Sequence, residues 1–397
     1  MLKDGSLSLV LRLCAAALSL GTLTFVGRAF TAEDFGYFGT VMAMLALLTP
    51  ICALGWPLTL TRYISQGFFS RVLVWRALRQ SLSAALLLAL IGALALREWV
   101  FALGLVILPA YVALDLMAAI FRARGSFVRA LVPRDILWRG LLMVGVWVVM
   151  SFPQGQQTSM LLVLAIPPIF LMAALQMRSL RDFEDCAPMD ADVARVRHRI
   201  WISTLSGTLF ANLDTLAVGA FCGVEVAGGY FAASRLGSII VFVHSAVGLA
   251  VGPRLARHHA ERNASAINAD LRTAALMAGV PALVLFGVFV VAGGVLLGAI
   301  APNAEDMQIV LLLLALGQVV NGLTGPSGLF LSMSGAEAQV ARVSIQSLAV
   351  GAAMILSGAL VFGPIGAAAA TFAVQSWSEL RLWIGARSAI AHQGGPA

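Results

Sequence analysis

The segment RAFTAEDFGYF, residues Arg28 to Phe38, ends one apolar stretch and begins the next. A near copy, GAFCGVEVAGGYF, returns at Gly219 to Phe231, again between two apolar stretches. The stretches that follow the two copies end at Arg62 and Arg254, about as far apart as the copies themselves. A unit that recurs once in each half of a chain predicts a fold built from two similar halves.

Apolar side chains dominate both halves. Of the 397 residues, 60% are hydrophobic and 11% are charged, whereas about a quarter of a soluble domain is charged. So much apolar surface requires lipid as its solvent. The net charge is +7, but the basic residues stand in short groups between apolar runs, which is typical of membrane topology, so no nucleic-acid partner is expected.

Twelve segments have about the 20 mostly apolar residues that a membrane-crossing helix needs. They are 7–29, 36–61, 80–96, 99–121, 136–152, 159–177, 201–222, 229–252, 273–299, 308–332, 343–362 and 366–386. We therefore predict an all-α integral membrane protein with twelve transmembrane helices in two six-helix lobes, related by a pseudo-two-fold axis along the membrane normal. The lobes are expected at 1–177 and 201–397, joined by a cytoplasmic linker at 178–200.

The basic residues also predict orientation. Most of the 26 arginines and lysines fall in the loops that follow even-numbered helices or at the two chain ends. The positive-inside rule places these loops and both termini in the cytoplasm. We therefore expect a multi-pass protein of the cell inner membrane. The run from Leu7 to Ala29 is interpreted as a span and not as a signal peptide, because it contains Arg12 and lacks a clear cleavage site.

The sequence shows no sign of enzymatic chemistry. It has no Walker loop and no acidic metal-binding motif in an outward loop, and no large external loop for a polymerase. The cysteines have neither zinc-site nor disulfide spacing; they are Cys14, Cys52, Cys186 and Cys222. We expect no enzyme activity, no metal and no cofactor.

Arg12 lies inside the first predicted span, where a charge costs about 2.5–3.5 kcal/mol on insertion scales. Ser19 and Thr22 fall on the same helical face. This polar stripe predicts a cavity lining that binds an anionic substrate. The alternative is that Arg12 reaches back to the cytoplasmic interface.

Asp214, Arg235 and His244 are the ionisable residues expected in the seventh and eighth spans. Asp214 needs a cation, a proton or water, which predicts ion coupling, unless it forms a structural pair with an arginine. Arg235 is a second candidate ligand for an anion. His244 can titrate near neutral pH and is a second ion-coupling candidate, although it lies half a turn from Arg235 around an ideal helix, and a packed neutral histidine is the alternative.

Gating residues are expected at two helix ends. Arg28 lies beside Glu33 and Asp34, with which it can pair. Asn321 and Pro326 lie in or beside the GLTGPSG run of the tenth helix, which is expected to bend or to line the cavity.

The opening segment resembles the amino-terminal unit of the polysaccharide transporter family, the Wzx-type O-antigen flippases of the multidrug/oligosaccharidyl-lipid/polysaccharide (MOP) exporter superfamily. The residues that carry the resemblance are Glu33, Asp34, Phe35, Gly36, Tyr37, Leu54, Gly55 and Arg62. The segment from Leu209 to Leu236 is similar to the seventh-to-eighth helix unit of that family, through Asp214, Gly219 and the Gly229-Tyr230 pair.

The resemblance implies flipping of an undecaprenyl-diphosphate-linked oligosaccharide to the periplasmic leaflet. Arg12 and Arg235 would then attract the diphosphate, and Asp214 would bind a coupling proton or sodium ion. Lipid-linked oligosaccharide, membrane lipids and a polysaccharide polymerase or co-polymerase are the implied partners. The alternatives are a cation-coupled multidrug exporter of the same superfamily, a non-transporting subunit of a glycan-synthesis complex and, less favoured, a glycan-lipid transferase.

Overall fold

The all-α prediction is confirmed. The computed structural model describes residues 2–65, 68–95, 97–182, 193–302 and 304–393. Residues 183–192, the middle of the predicted linker with Cys186, lie outside them. Within this described part, eight helices are long and apolar enough to cross a membrane, and two shorter apolar helices lie at Cys14–Ala29 and Ala211–Cys222. The count of twelve spans stays a prediction, as do the limits of the lobes and their symmetry.

The chain divides into two compact units, residues 1–208 (unit 1) and 209–397 (unit 2). Unit 1 contains α1 (Leu2–Ala29), α2 (Ala32–Ala53), α3 (Trp56–Ser65), α4 (Arg71–Ala95), α5 (Trp99–Ala123), α6 (Phe127–Leu131), a π-helical turn (Val132–Leu137), α7 (Trp138–Val149), α8 (Gln157–Arg178) and a 3-10 turn (Ser179–Asp182). The boundary between the units falls inside α9 (Val193–Cys222).

The central helix of unit 1 is α5, which packs against α2, α3, α4 and α8. Its apolar residues are buried on most sides, which is the pattern of a helix surrounded by other helices. Pro109 stands inside it without ending it. About two turns before its end, Asp115 forms an ion pair with Arg134, 2.6 Å from carboxylate to guanidinium. This neighbour raises the pKa of Arg134 above its ordinary value.

Unit 2 contains the rest of α9 and then α10 (Val224–Gly237), α11 (Ile239–Ala260), α12 (Ala264–Ile300), a 3-10 turn (Glu305–Met307), α13 (Gln308–Thr324), α14 (Ser327–Met333) and α15 (Glu337–Gln393). Here α13 is central and packs against α10, α12 and α15. The fourth predicted span of each half, at 99–121 and 308–332, thus supplies the central helix of its own unit.

Several predicted helices are broken. The second span, 36–61, is interrupted where Leu54 and Gly55 adopt left-handed backbone angles, with φ of 51° and 77°. The tenth, 308–332, is interrupted at Gly325, with φ of 65°. Left-handed angles stop a helix because the backbone hydrogen-bond ladder cannot continue through them. In the same way Gly363, with φ of 63°, divides α15 into two arms, 337–362 and 364–393, as the eleventh and twelfth spans predict.

Candidate functional site

A buried polar cluster lies where α9, α10 and the second arm of α15 meet in unit 2. The carboxylate of Asp214 accepts hydrogen bonds from the Tyr230 hydroxyl at 2.9 Å and the Thr371 hydroxyl at 3.4 Å. The backbone N–H of Thr215 donates to its other oxygen at 2.7 Å. Asp214 is only 2% exposed and Tyr230 is completely buried. We call these four residues the Asp214 cluster.

The fold places these side chains at one depth. Asp214 is eight residues before the end of α9, and Tyr230 is six residues into α10, across a turn at Gly223 with φ of 94°. Thr371 is eight residues after the bend at Gly363. At 1.5 Å per residue, all three lie about 9–12 Å from the helix ends that adjoin Gly223 and Gly363. The ionisable group therefore lies well inside a predicted span.

Arg235 lies next to this cluster, five residues beyond Tyr230. Its guanidinium donates to the Asn212 side-chain oxygen at 2.8 Å and lies 4.8 Å from the centre of the Phe231 ring. A neutral amide and a ring face thus fix the guanidinium in place. Since Asn212 is two residues before Asp214, Arg235 lies near the Asp214 cluster. The predicted roles of Arg235 in anion binding and of Asp214 in ion coupling stay predictions.

His244 is not part of the Asp214 cluster. Its ring on α11 faces Gly322 of α13, where a Cβ in place of the glycine hydrogen would lie 2.9 Å from Nε2. Neither ring nitrogen has a hydrogen-bond partner among the described residues. Asn321 and Pro326 flank the same break between α13 and α14. His244 therefore lies beside the break in the tenth span, and its coupling role stays a prediction.

In unit 1 the predicted binding residues are only partly described. The Arg12 side chain lies outside the described residues. Thr22 is buried and donates to the Leu18 carbonyl oxygen at 2.7 Å, within its own helix. Ser19 is half-buried on the same face. The predicted substrate-binding roles of Arg12, Ser19 and Thr22 stay predictions.

The predicted gate at the end of α1 contains one buried acid. Arg28 and Glu33 are exposed, whereas Asp34 is 2% exposed. The Asp34 carboxylate accepts from the Gly155 N–H at 2.8 Å and from the Thr158 N–H at 3.2 Å.

The Thr158 hydroxyl also donates to the Asp34 carbonyl oxygen at 2.6 Å. The two bonds to the Asp34 carboxylate satisfy backbone N–H groups at the start of α8, so Asp34 acts as a cap for a distant helix. A gating role for Arg28, Glu33 and Asp34 is not tested by this geometry.

Sequence reasoning missed Tyr230 and Thr371 as partners of Asp214, and it missed Glu379. Glu379 is half-buried in the predicted twelfth span and has no ion-pair or hydrogen-bond partner among the described residues. The Gln375 side chain, one turn earlier, accepts a long hydrogen bond of 3.4 Å from Gln318 of α13. A carboxylate inside an apolar run was the available signal for Glu379.

No group of three or more metal-ligating side chains comes together in the part of the chain that the structure describes. The Asp214 cluster supplies one carboxylate with hydroxyl oxygens around it. Such a set can hold a proton or a small hard cation, for which oxygen ligands are preferred.

Neither a family model nor a curated protein matches the sequence. Solved structures, in contrast, match over almost the whole chain. A multidrug resistance MATE family transporter of the MOP superfamily, in an inward-facing conformation, gives a TM-score of 0.73 at 13% identity, covering 96% of this chain and 95% of that one.

Two further solved structures are similar. The lipid II flippase MurJ, inward closed, gives a TM-score of 0.63 at 13% identity, covering 98% of this chain and 89% of that one. A MOP superfamily transporter from Pyrococcus furiosus, described as having a binding pocket of reverse polarity, gives 0.60 at 13% identity, covering 98% and 95%. The chain thus has the fold that MATE transporters and MurJ share.

Proposed function

We propose that the chain is a flippase that moves an undecaprenyl-diphosphate-linked oligosaccharide from the cytoplasmic to the periplasmic leaflet, for surface polysaccharide synthesis. The observation that carries the proposal is the fixed guanidinium of Arg235 inside a predicted span, held by Asn212 and Phe231. A guanidinium binds phosphate oxygens through paired N–H donors. A positively charged group at this depth therefore favours an anionic cargo.

The sugar part of the cargo explains why a protein is needed. Each hydroxyl taken unpaired into hydrocarbon costs several kcal/mol, at least about 2. An oligosaccharide head group therefore needs a polar path, to which Ser19 and Thr22 would contribute beside Arg12. An inside-negative membrane potential drives an anion outward by about 2.3 kcal/mol per charge per 100 mV. Alternating access can use this force without a nucleotide.

Asp214 is the proposed coupling residue. Its carboxylate accepts hydrogen bonds from neutral donors of three helices, and binding of a proton or sodium ion would neutralise its buried charge. His244 would serve as a second titrating group, beside the α13–α14 break. A location in the inner membrane with both termini in the cytoplasm, and an association with a polymerase or co-polymerase, belong to the same proposal.

A cation-coupled multidrug exporter is the second candidate. It is supported by the similarity to the MATE structure, with its TM-score of 0.73. It is also supported by Glu379, a carboxylate in the predicted twelfth span that could attract an organic cation.

Purified protein in liposomes tests the two candidates side by side. One arm measures the transfer of a fluorescent undecaprenyl-diphosphate oligosaccharide to the outer leaflet with a membrane-impermeant quencher, and the other measures ethidium efflux. We expect glycolipid transfer, and a roughly tenfold to hundredfold loss in Arg235→Gln, the range for one hydrogen bond to a charged group. Arg272→Gln, which removes an exposed arginine of α12, is the matched control and should keep the activity.

Ethidium efflux without glycolipid transfer would replace the flippase with the multidrug exporter. Unchanged glycolipid transfer in Arg235→Gln would show that this guanidinium does not bind the cargo.

A further inference from the structure

Positive charges gather at the arginine-rich end of α4 in unit 1, whereas the Asp214 cluster belongs to unit 2. Arg76 and Arg79 are exposed in the early turns of α4. Arg197, near the start of α9, donates from its guanidinium to the Gln80 side-chain oxygen at 2.6 Å. Gln80 is four residues after Arg76, so both stand on one face of α4. Arg76 and the Arg197 guanidinium therefore lie on the same side of α4, close enough for their charges to interact.

Neutral groups hold Arg197 in this position. The Trp56 indole N–H donates to the same Gln80 oxygen at 3.1 Å, and the guanidinium lies 4.9 Å from the centre of the Trp56 ring. The Trp201 indole N–H donates to the Pro50 carbonyl oxygen at 3.1 Å, which fixes the start of α9 against α2. The guanidinium is thus positioned before any ligand arrives, which reduces the entropy lost on binding.

The charge of this group is not balanced nearby. Among the described residues, the ion pairs use other basic groups, and neither Arg76 nor Arg197 has a carboxylate within 4 Å. Burial, and then the charge of Arg76, lower the pKa of Arg197. A bound anion would relieve both effects, because it replaces lost solvation and offsets the repulsion between the two cations.

We propose that Arg76 and Arg197 form a binding site for the phosphate group of an anionic membrane phospholipid. The site lies at the end of a helix long and apolar enough to cross a membrane, Arg71–Ala95, which is the level of lipid head groups. Exposed Trp75 and Val72 stand beside Arg76 and offer an apolar surface to the acyl chains. Guanidinium groups bind phosphate through several N–H donors at once. This proposal is independent of the cargo.

Lipid binding to the full-length protein tests the site. The protein is purified in detergent, given equal amounts of phosphatidylglycerol and phosphatidylcholine, and analysed by native mass spectrometry. We expect preferential retention of phosphatidylglycerol. Since each arginine near a lipid surface contributes about 1 kcal/mol, Arg76→Gln and Arg197→Gln should each weaken the preference about fivefold, and the double variant about 25-fold. Arg272→Gln, with the same loss of charge outside the site, should weaken the preference far less than the double variant does.

A second measurement does not depend on the folding of Arg197→Gln. Phosphatidylglycerol should raise the melting temperature of the wild type, and the exposed Arg76→Gln alone should reduce that rise.

The assignment is overturned if the wild type shows no preference between the two phospholipids, or if the double variant keeps it. It is also overturned if undecaprenyl diphosphate displaces phosphatidylglycerol at equal concentration, which would assign the site to the cargo. Failure here leaves glycolipid transfer in phosphatidylcholine liposomes unaffected, so the two proposals are tested separately.

Discussion

At the scale of single residues, the buried acids of the two units are satisfied in different ways. Besides the Thr31 hydroxyl at 3.2 Å, the Asp34 carboxylate accepts from the backbone N–H groups of Gly155 and Thr158, which cannot move without unfolding the start of α8. Asp214 accepts from the neighbouring Thr215 N–H and, from other helices, from the hydroxyl groups of Tyr230 and Thr371, which can rotate. The first arrangement suits a permanent structural tie, and the second suits a carboxylate that exchanges a cation.

Tyr230→Phe tests the arrangement around Asp214. The change keeps the ring and removes the donor at 2.9 Å, so the unfolding free energy should fall by about 1.5–3 kcal/mol, as for a hydrogen bond to a charged group. Chemical denaturation in detergent micelles measures it. Tyr37→Phe is the matched control, because the half-buried Tyr37 ring packs beside Phe101. Equal losses in both variants would mean that the Tyr230 hydroxyl contributes nothing specific.

Glu379→Gln should have opposite effects on stability and transport. An unpaired carboxylate in a span is costly, so the neutral amide should raise the melting temperature, by about 2–4 °C for each kcal/mol gained. Transport should fall if the carboxylate binds a cation during the cycle. Thermal unfolding and the liposome assays measure the two effects. A melting temperature that falls would reveal a stabilising partner for Glu379.

The sequence was sufficient to find Asp214 and Arg235, because a charge inside an apolar helix is visible without a fold. Their partners were not predictable, since Thr371 is 157 residues from Asp214 in the chain and only packing brings them together. The role of Asp34 as a helix cap is hidden for the same reason. Glu379 shows the same signal as Asp214 and was predictable.

At the scale of elements, the breaks inside apolar runs determine where side chains meet. Hydropathy predicts one helix over 36–61, because it records apolar character and not backbone angles. The structure bends this run at Leu54 and Gly55 and places the start of α9 against the bend. Residue 55 must be glycine because its φ is positive and because neighbouring atoms leave no room for a Cβ.

Gly55→Ala should destabilise unit 1 by more than the backbone strain of an alanine with positive φ. A Cβ at Gly55 would lie 2.6 Å from the Arg197 carbonyl oxygen and 2.9 Å from the Trp201 Cβ. Gly125→Ala is the matched control, with φ of 75° but no atom within 4 Å of the new Cβ.

We expect about 1–2 kcal/mol for Gly125→Ala from backbone conformation alone, and about 1–3 kcal/mol more for Gly55→Ala from overpacking. Thermal or chemical unfolding of both variants measures the difference. Similar losses in the two variants would mean that α9 moves aside freely.

At the scale of the whole molecule, the fold was predictable and the number of spans was not confirmed. Repeated apolar runs predict two all-α halves, and each unit has its fourth predicted span at its centre. The fifth span, expected at 136–152, yields only Trp138–Val149 as α-helix after a π-helical turn. Apolar composition alone cannot locate such a change of helix type.

Cysteine labelling in intact cells tests the predicted orientation. In a variant with Cys14, Cys52, Cys186 and Cys222 replaced by serine, single cysteines are placed at the exposed positions Gln154 and Ser265. A membrane-impermeant maleimide should label the cysteine at 154 only, because the arginine-rich loop around 265 is expected in the cytoplasm. Labelling after permeabilisation is the control for both positions. Labelling of the cysteine at 265 in intact cells would mean that unit 2 has the opposite orientation.

The tie between Asp34 and the start of α8 also sets an order of events during biosynthesis. Asp34 leaves the ribosome long before its partners, since Thr158 follows 124 residues later. Until α8 has been translated and inserted, that carboxylate has none of its native long-range donors. Unit 1 can complete its packing only when its sixth predicted span has been inserted. A chain stalled before that point should remain susceptible to quality-control proteases.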